Sequence, residues 1–226
     1  MSGYLANPRE GHLEMLYHMF AYLEKVPRLR ICFDPRYPEI SQERFIQYDW
    51  EDFYRGAKEK FPPNAPGERG RYVTVHCFVD ANHAGDKRTR KSMTGILIFV
   101  NSAPIMFYSK RQNTVEASTF GSEFVAMRTA VEMIEALRIK LRYLGVPVEG
   151  AADVFCDNDA VFKNVSTPES TLKKKHLSIC YHRCREAVAA GVIRVAKEAT
   201  GTNLADLFTK ILPVKVREKL LEWFTY

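Results

Sequence analysis

The chain of 226 residues has no apolar run approaching the roughly 20 residues that a membrane-spanning helix needs. Its opening stretch, MSGYLANPREGHLEM, holds no apolar core of a secretory signal. A membrane protein and a secreted one are therefore excluded as first readings, and an intracellular protein without membrane partners is expected. Cysteines are few and odd in number: Cys32, Cys77, Cys156, Cys180 and Cys184, with no Cys-x-x-Cys pair. That count argues against a disulfide scaffold, and Cys77 and Cys156 sit inside apolar, strand-like runs, so reduced thiols are expected. His176, Cys180 and Cys184 fall at i, i+4 and i+8, but no fourth ligand stands nearby, so a core-facing stripe is a better reading than structural zinc.

What is present is a core-forming composition, 46% hydrophobic, and an uneven charge. Residues 1–70 carry 10 Lys and Arg against 11 Asp and Glu, whereas residues 71–226 carry 23 against 16. A basic C-terminal two-thirds points to a polyanionic partner.

Leu13, Leu16, Phe20 and Leu23 recur at helical spacing and predict a helix over about 9–26, followed by a short extended piece at 29–33. Residues 35–70 contain five prolines and several aromatics without a sustained period, as in an irregular segment that packs on something. The expected boundary is near Gly70, giving units of 1–70 and 71–226. Beyond it, strands are predicted over 73–80, 92–100 and 103–110, with a tight turn at Asn101-Ser102. A long helix follows, because Phe120, Phe124, Met127, Val131, Ile134, Leu137, Leu141 and Leu144 step by three and four. A strand (152–157), a short helix (159–165), a longer helix (175–190), a strand (192–198) and a helical C-terminal part complete the order. This alternation predicts an α/β fold: a mixed five-stranded sheet flanked by helices.

In VFCDNDAVFKN (154–164) an apolar run stops at Asp157. Asp157 or Asn158 could cap the next helix, and Asp157 could equally serve a site. Three further acids stand beside it: Asp80 at the first strand's end, Glu123 at the edge of the long helix's apolar stripe, and Asp206 in NLADLFTK. Clustered carboxylates suit Mg²⁺, a hard cation that takes oxygen ligands and binds phosphate oxygens. Two such ions can activate water and stabilise the leaving oxygen of a phosphodiester.

The blocks DANHAGDKRTRKSMTG (80–95), YSKRQNTVEASTFGSEFVAM (108–127), VFCDNDA (154–160), KKHLSICYHRCREAVAAGVI (174–193) and NLADLFTKIL (203–212) resemble, in order, the ribonuclease H domain of copia-type LTR-retrotransposon Pol polyproteins. Residues 4–31 resemble the end of the reverse transcriptase region upstream; no Tyr-x-Asp-Asp polymerase motif is present. The resemblance implies an RNase H-like fold and cleavage of the RNA strand of an RNA–DNA hybrid with two Mg²⁺ or Mn²⁺ ions. The implied catalytic and metal-ligating residues are Asp80, Glu123, Asp157 and Asp206. The polymerase portion of the same polyprotein is the implied partner, in the cytoplasm (a virus-like particle) or the nucleus. Arg90, Lys91 and Ser92 at the start of the second strand, and Lys110, Arg111 and Gln112 at the end of the third, are expected to line a groove that tracks phosphates. Lys173, Lys174 and Lys175 could also approach nucleic acid, and His83 and His182 are candidate proton shuttles. Two alternatives stay open: a catalytically silent hybrid-binding or scaffold module, and an exonuclease or nucleotidyl-transferring enzyme of similar fold.

Overall fold

The structure, a computed structural model, describes residues 7–226. The first residues of the expected 1–70 unit and of the 4–31 resemblance therefore lie outside the described residues. Strands β1 (Val75–Asn82), β2 (Met93–Val100) and β3 (Ala103–Arg111) form the expected antiparallel meander, and β4 (Ala152–Cys156) and β5 (Ile193–Lys197) add to β1 in parallel. The order across this mixed five-stranded sheet, the architecture expected from the sequence, is β3-β2-β1-β4-β5. Asn101 turns the chain between β2 and β3 at φ 53°, a left-handed conformation that asparagine tolerates.

Helices α2 (Thr119–Tyr143), α3 (Asp159–Ser166) and α4 (Ser178–Ala189) cover one face. Alternation along the strands turns Cys77, Val79, Ile96 and Ile98 toward that face, into one core with Phe124, Met127, Val131 and Ile134 of α2. Full burial of each such large side chain stabilises by about 1.5–3 kcal/mol. Gly145, at φ 73°, ends the helical segment in the conformation glycine adopts most readily. The opposite face carries Leu97, Phe99, Leu204, Leu220 and Phe224, closed by the single turn α5 (Asp206–Thr209) and by α6 (Val214–Leu221).

Several boundaries differ by one to three residues from the sequence reading, and two of the differences change local structure. Strand β1 runs two residues further than expected, because its pairing with β2 continues to Asn82↔Met93. Asp80 is thus an internal strand residue rather than its end. The helix expected over 175–190 opens as a 3₁₀ turn, Lys175–Leu177, before α4 begins. All five cysteines are free; Cys180 and Cys184 are buried, but His176 is exposed, so the core-stripe reading holds for the two cysteines and not for His176.

The irregular proline-rich segment does pack. Phe45 and Trp50 are buried, Phe45 against Phe155 of β4 and Trp50 against the Arg185 guanidinium. Glu59 reaches Arg138 and Arg142 of α2 through four hydrogen bonds of 2.6–2.8 Å. The expected first helix is present as α1 (Glu10–Lys25), yet its apolar stripe is not covered: Leu13, Phe20 and Leu23 are exposed. Backbone bonds join residues 30–32 to 224–226, including the expected extended piece at Ile31.

Candidate metal centre

Asp80 of β1 lies opposite Gly95 of β2. A side chain at Gly95 would meet Thr209 Cγ2 at 2.6 Å and the Ala205 carbonyl at 2.8 Å, so glycine is what lets α5 lie directly on the sheet here. Two asparagines pin that approach. Asn203 Nδ2 donates to the Val79 carbonyl (3.0 Å) while its Oδ1 accepts from Ala205 N–H (3.1 Å), and Asn82 Nδ2 donates to the Thr209 carbonyl (3.0 Å). These contacts carry Asp206, the first residue of α5, to Asp80 across 126 positions of sequence.

Asp157 follows directly on β4, the parallel neighbour of β1. The open question of the cap is resolved by Asn158, which is the N-cap of α3 and accepts from Val161 N–H at 3.1 Å. Asp157 is left to face the cluster. One oxygen each of Asp80, Asp157 and Asp206 lies within 4.8 Å of the others. Glu123, buried on the first turns of α2, lines the same cavity of about 350 Å³ as Asp80 and Asp157, with His83, Asn158 and Lys210. The structure thus brings all four sequence-selected acids together. This donor set, oxygen only and anionic, fits a divalent hard cation. Among the described residues it is the one cluster of three or more metal-ligating side chains, so His176, Cys180 and Cys184 form none; His176 instead faces Glu116 at 3.6 Å.

Sequence reasoning missed Lys210. Its Nζ donates to Asp206 Oδ1 at 2.6 Å and to Asp80 Oδ1 at 3.2 Å, and Thr209 Oγ1 donates to the other Asp80 oxygen. The four-residue spacing from Asp206 to Lys210 was a legible signal of an acid–base pair. Burial opposes the charge on Lys210, but Asp206 and Asp80 outweigh it and hold its pKa above the ordinary lysine value.

The carboxylates show the opposite shift. Burial, then the charges of Asp80 and Asp157, push Glu123 up to about 9. Burial raises Asp157 too, with Asp80 adding to it, and raises Asp206 to about 6 against the pull of Lys210. The sign of the resulting pH dependence follows from proton counts. A glutamate in the unfolded chain loses its proton near 4.5, whereas folded Glu123 keeps it to about 9, so the folded state binds the extra proton and stability falls as pH rises between them. His76, lowered to about 4 by burial, acts the other way, but only below its ordinary 6.5. Between about pH 6.5 and about pH 9, cation-free protein is therefore expected to lose up to about 1.4 kcal/mol per pH unit. Thermal melting in a chelator checks this. Glu123→Gln should flatten the slope, and an unchanged slope in that variant would remove Glu123 as its source.

The expected phosphate-tracking residues divide. Lys91, Lys110 and Arg111 line a groove of about 730 Å³ that shares Asn82 and Lys210 with the acidic cavity. Arg111 pairs there with Asp86 at 2.6 Å. Arg90 is exposed in the preceding loop, at φ 57°, its N–H donating to the Asp86 carbonyl. Ser92 and Gln112 are buried and engaged within the fold. Ser92 Oγ accepts from Ala84 N–H, and Gln112 Nε2 donates to Thr94 Oγ1 and the Ser122 carbonyl. Ser92 is absent from the groove lining, whereas Gln112 stays on it beside Lys110 and Arg111, with its amide nitrogen engaged inward. His83 lines the cavity, while His182 is paired with Tyr54 far from it in sequence and takes no part in the cluster. Lys174 is tied to Ser118, the N-cap of α2.

No protein-family model matches the chain. By sequence it is 34% identical over 137 residues to the retrovirus-related Pol polyprotein from transposon TNT 1-94 of Nicotiana tabacum, covering 60% of this chain and 10% of that protein. It is 29% identical over 145 residues to the retrovirus-related Pol polyprotein from transposon RE1 of Arabidopsis thaliana, covering 64% and 10%. The chain spans about a tenth of the length of the curated relatives it matches. Among solved structures, it is similar to RNase H1 from the archaeon Halobacterium salinarum, with a TM-score of 0.47 at 16% identity over 66% of this chain and 98% of that one. LC11-RNase H1 in complex with RNA/DNA hybrid also matches, with a TM-score of 0.47 at 13% identity over 61% and 93%. Both relatives are retrovirus-related Pol polyproteins from transposons, in agreement with the Pol polyprotein resemblance of the five sequence blocks.

Proposed function

We propose that residues 71–226 are a ribonuclease H unit that cleaves the RNA strand of an RNA–DNA hybrid as part of a retrotransposon Pol polyprotein. The observation that carries this reading is the convergence of Asp80, Asp157 and Asp206 within 4.8 Å, with Glu123 on the same cavity. These four would hold Mg²⁺ or Mn²⁺, which when bound supplies Lewis-acid activation of water and stabilisation of the leaving oxygen. The chain's own contribution is rigid placement: three of the acids stand on β1, on the end of β4 and on α2, which share one packed core. Lys91 and Lys110, with Arg111, supply cationic groups along the adjoining groove for the phosphate backbone. Residues 4–31, on this reading, belong to the end of the polymerase portion, the expected partner.

The test is cleavage of a labelled RNA–DNA hybrid by the full chain, with Mg²⁺ or Mn²⁺ and in a chelator. The expected result is ion-dependent cutting of the RNA strand alone, weakened by added salt because phosphate contacts release counterions. Equal cutting of double-stranded DNA would replace this reading with a nuclease of other specificity. Hybrid binding without cutting under either ion would replace it with a silent binding module.

A further inference from the structure

Lys210 stands where the cation-binding reading has no use for it. Its ammonium sits between Asp80 and Asp206, hydrogen-bonded to one oxygen of each. A divalent ion using those same oxygens would bring two positive centres within a few ångströms of each other in a partly buried site, where screening by water is reduced and they repel. The two occupants therefore compete.

The surroundings show how the competition can be resolved. Asp80 is almost fully buried and held from its other oxygen by Thr209, so it cannot leave. The Lys210 side chain is a third exposed, sits on a flexible stem, and lines both the acidic cavity and the basic groove. We propose that Lys210 is an intramolecular counter-cation: it neutralises Asp80 and Asp206 in the cation-free protein and is displaced toward the groove when a divalent ion binds. The inference rests on the metal-site reading above and adds what sets the affinity of that site. Lys210 is in this sense a positioning residue, acting through the two aspartates. In the groove the displaced ammonium is placed to meet an anion, so polyanion binding and cation uptake should favour each other, as linkage requires.

The experiment titrates MnCl₂ into the full chain by calorimetry, without nucleic acid, for wild type, Lys210→Met, Lys210→Gln and Lys210→Arg. Removing the competing charge is expected to tighten Mn²⁺ binding about tenfold in the Met and Gln variants, and the Arg variant should bind like wild type. Melting in a chelator should fall for the two neutral variants, and Mn²⁺ should raise it by more than in wild type. Unchanged or weaker Mn²⁺ binding by the neutral variants, with wild type binding, would overturn the inference and make Lys210 a brace for the ligands. Binding by none of the four proteins would remove the metal-site reading itself, and the inference with it.

Discussion

Asp157→Asn is expected to abolish cleavage of the RNA strand of a hybrid while leaving the protein folded. The substitution keeps the side chain's shape and removes the charge a hard divalent cation requires. Losing a metal ligand forfeits several kcal/mol of transition-state stabilisation, roughly 10³-fold or more in rate. Stability should move the other way in cation-free protein. Burial and the neighbouring Asp80 charge already raise the pKa of Asp157, so a neutral group there relieves repulsion and should lift the melting temperature slightly. Helix α3 is untouched, because its cap is Asn158. Paired measurements decide it: cleavage rate at saturating Mg²⁺, and melting in a chelator. Retained cleavage would remove Asp157 from the site, and a large loss of stability would make it a structural residue.

Glu59→Ala is expected to be the most destabilising single change outside the core. Its carboxylate bonds both guanidinium groups of Arg138 and Arg142, whose side chains are only 2% and 9% exposed. Burial alone would raise the pKa of Glu59, but the two arginines hold it at about 2. Taking the anion away leaves two buried cations unpaired, at a cost of about 3–5 kcal/mol. For a chain of this size that is a fall in melting temperature of roughly 6–20 °C. Joint replacement of Glu59, Arg138 and Arg142 by apolar residues should recover most of the loss, since the cost lies in uncompensated charge. A silent Glu59→Ala would mean that residues 45–59 do not belong to the cooperative unit, although Phe45 and Trp50 are buried against it.

The proline-rich segment marks where sequence reading runs out. Its composition announced irregular backbone and its aromatics announced packing, but nothing in residues 35–70 names Arg138, Arg142 or Phe155 as partners. Those contacts are long-range and aperiodic. Helix α1 shows the converse: the period that made it legible as a helix could not tell whether its stripe would be covered, because burial depends on what lies opposite. Ser92 and Gln112 were selected by residue type and by position at strand ends, while their side-chain direction was set by Ala84, Thr94 and Ser122.

By itself the sequence determined the order of strands and helices, because periods of two and of three to four residues are local properties of the chain. It also determined which four acids to watch, through the strand-end position of Asp157 and the resemblance of the blocks holding Asp80, Glu123 and Asp206. Only the tertiary structure decided that these acids meet, that Asn158 rather than Asp157 caps α3, and that Lys210 stands among them. The reason is physical: a carboxylate's neighbours are chosen by strand order and by the close approach of α5 over Gly95, and neither is encoded in the spacing of the residues that converge.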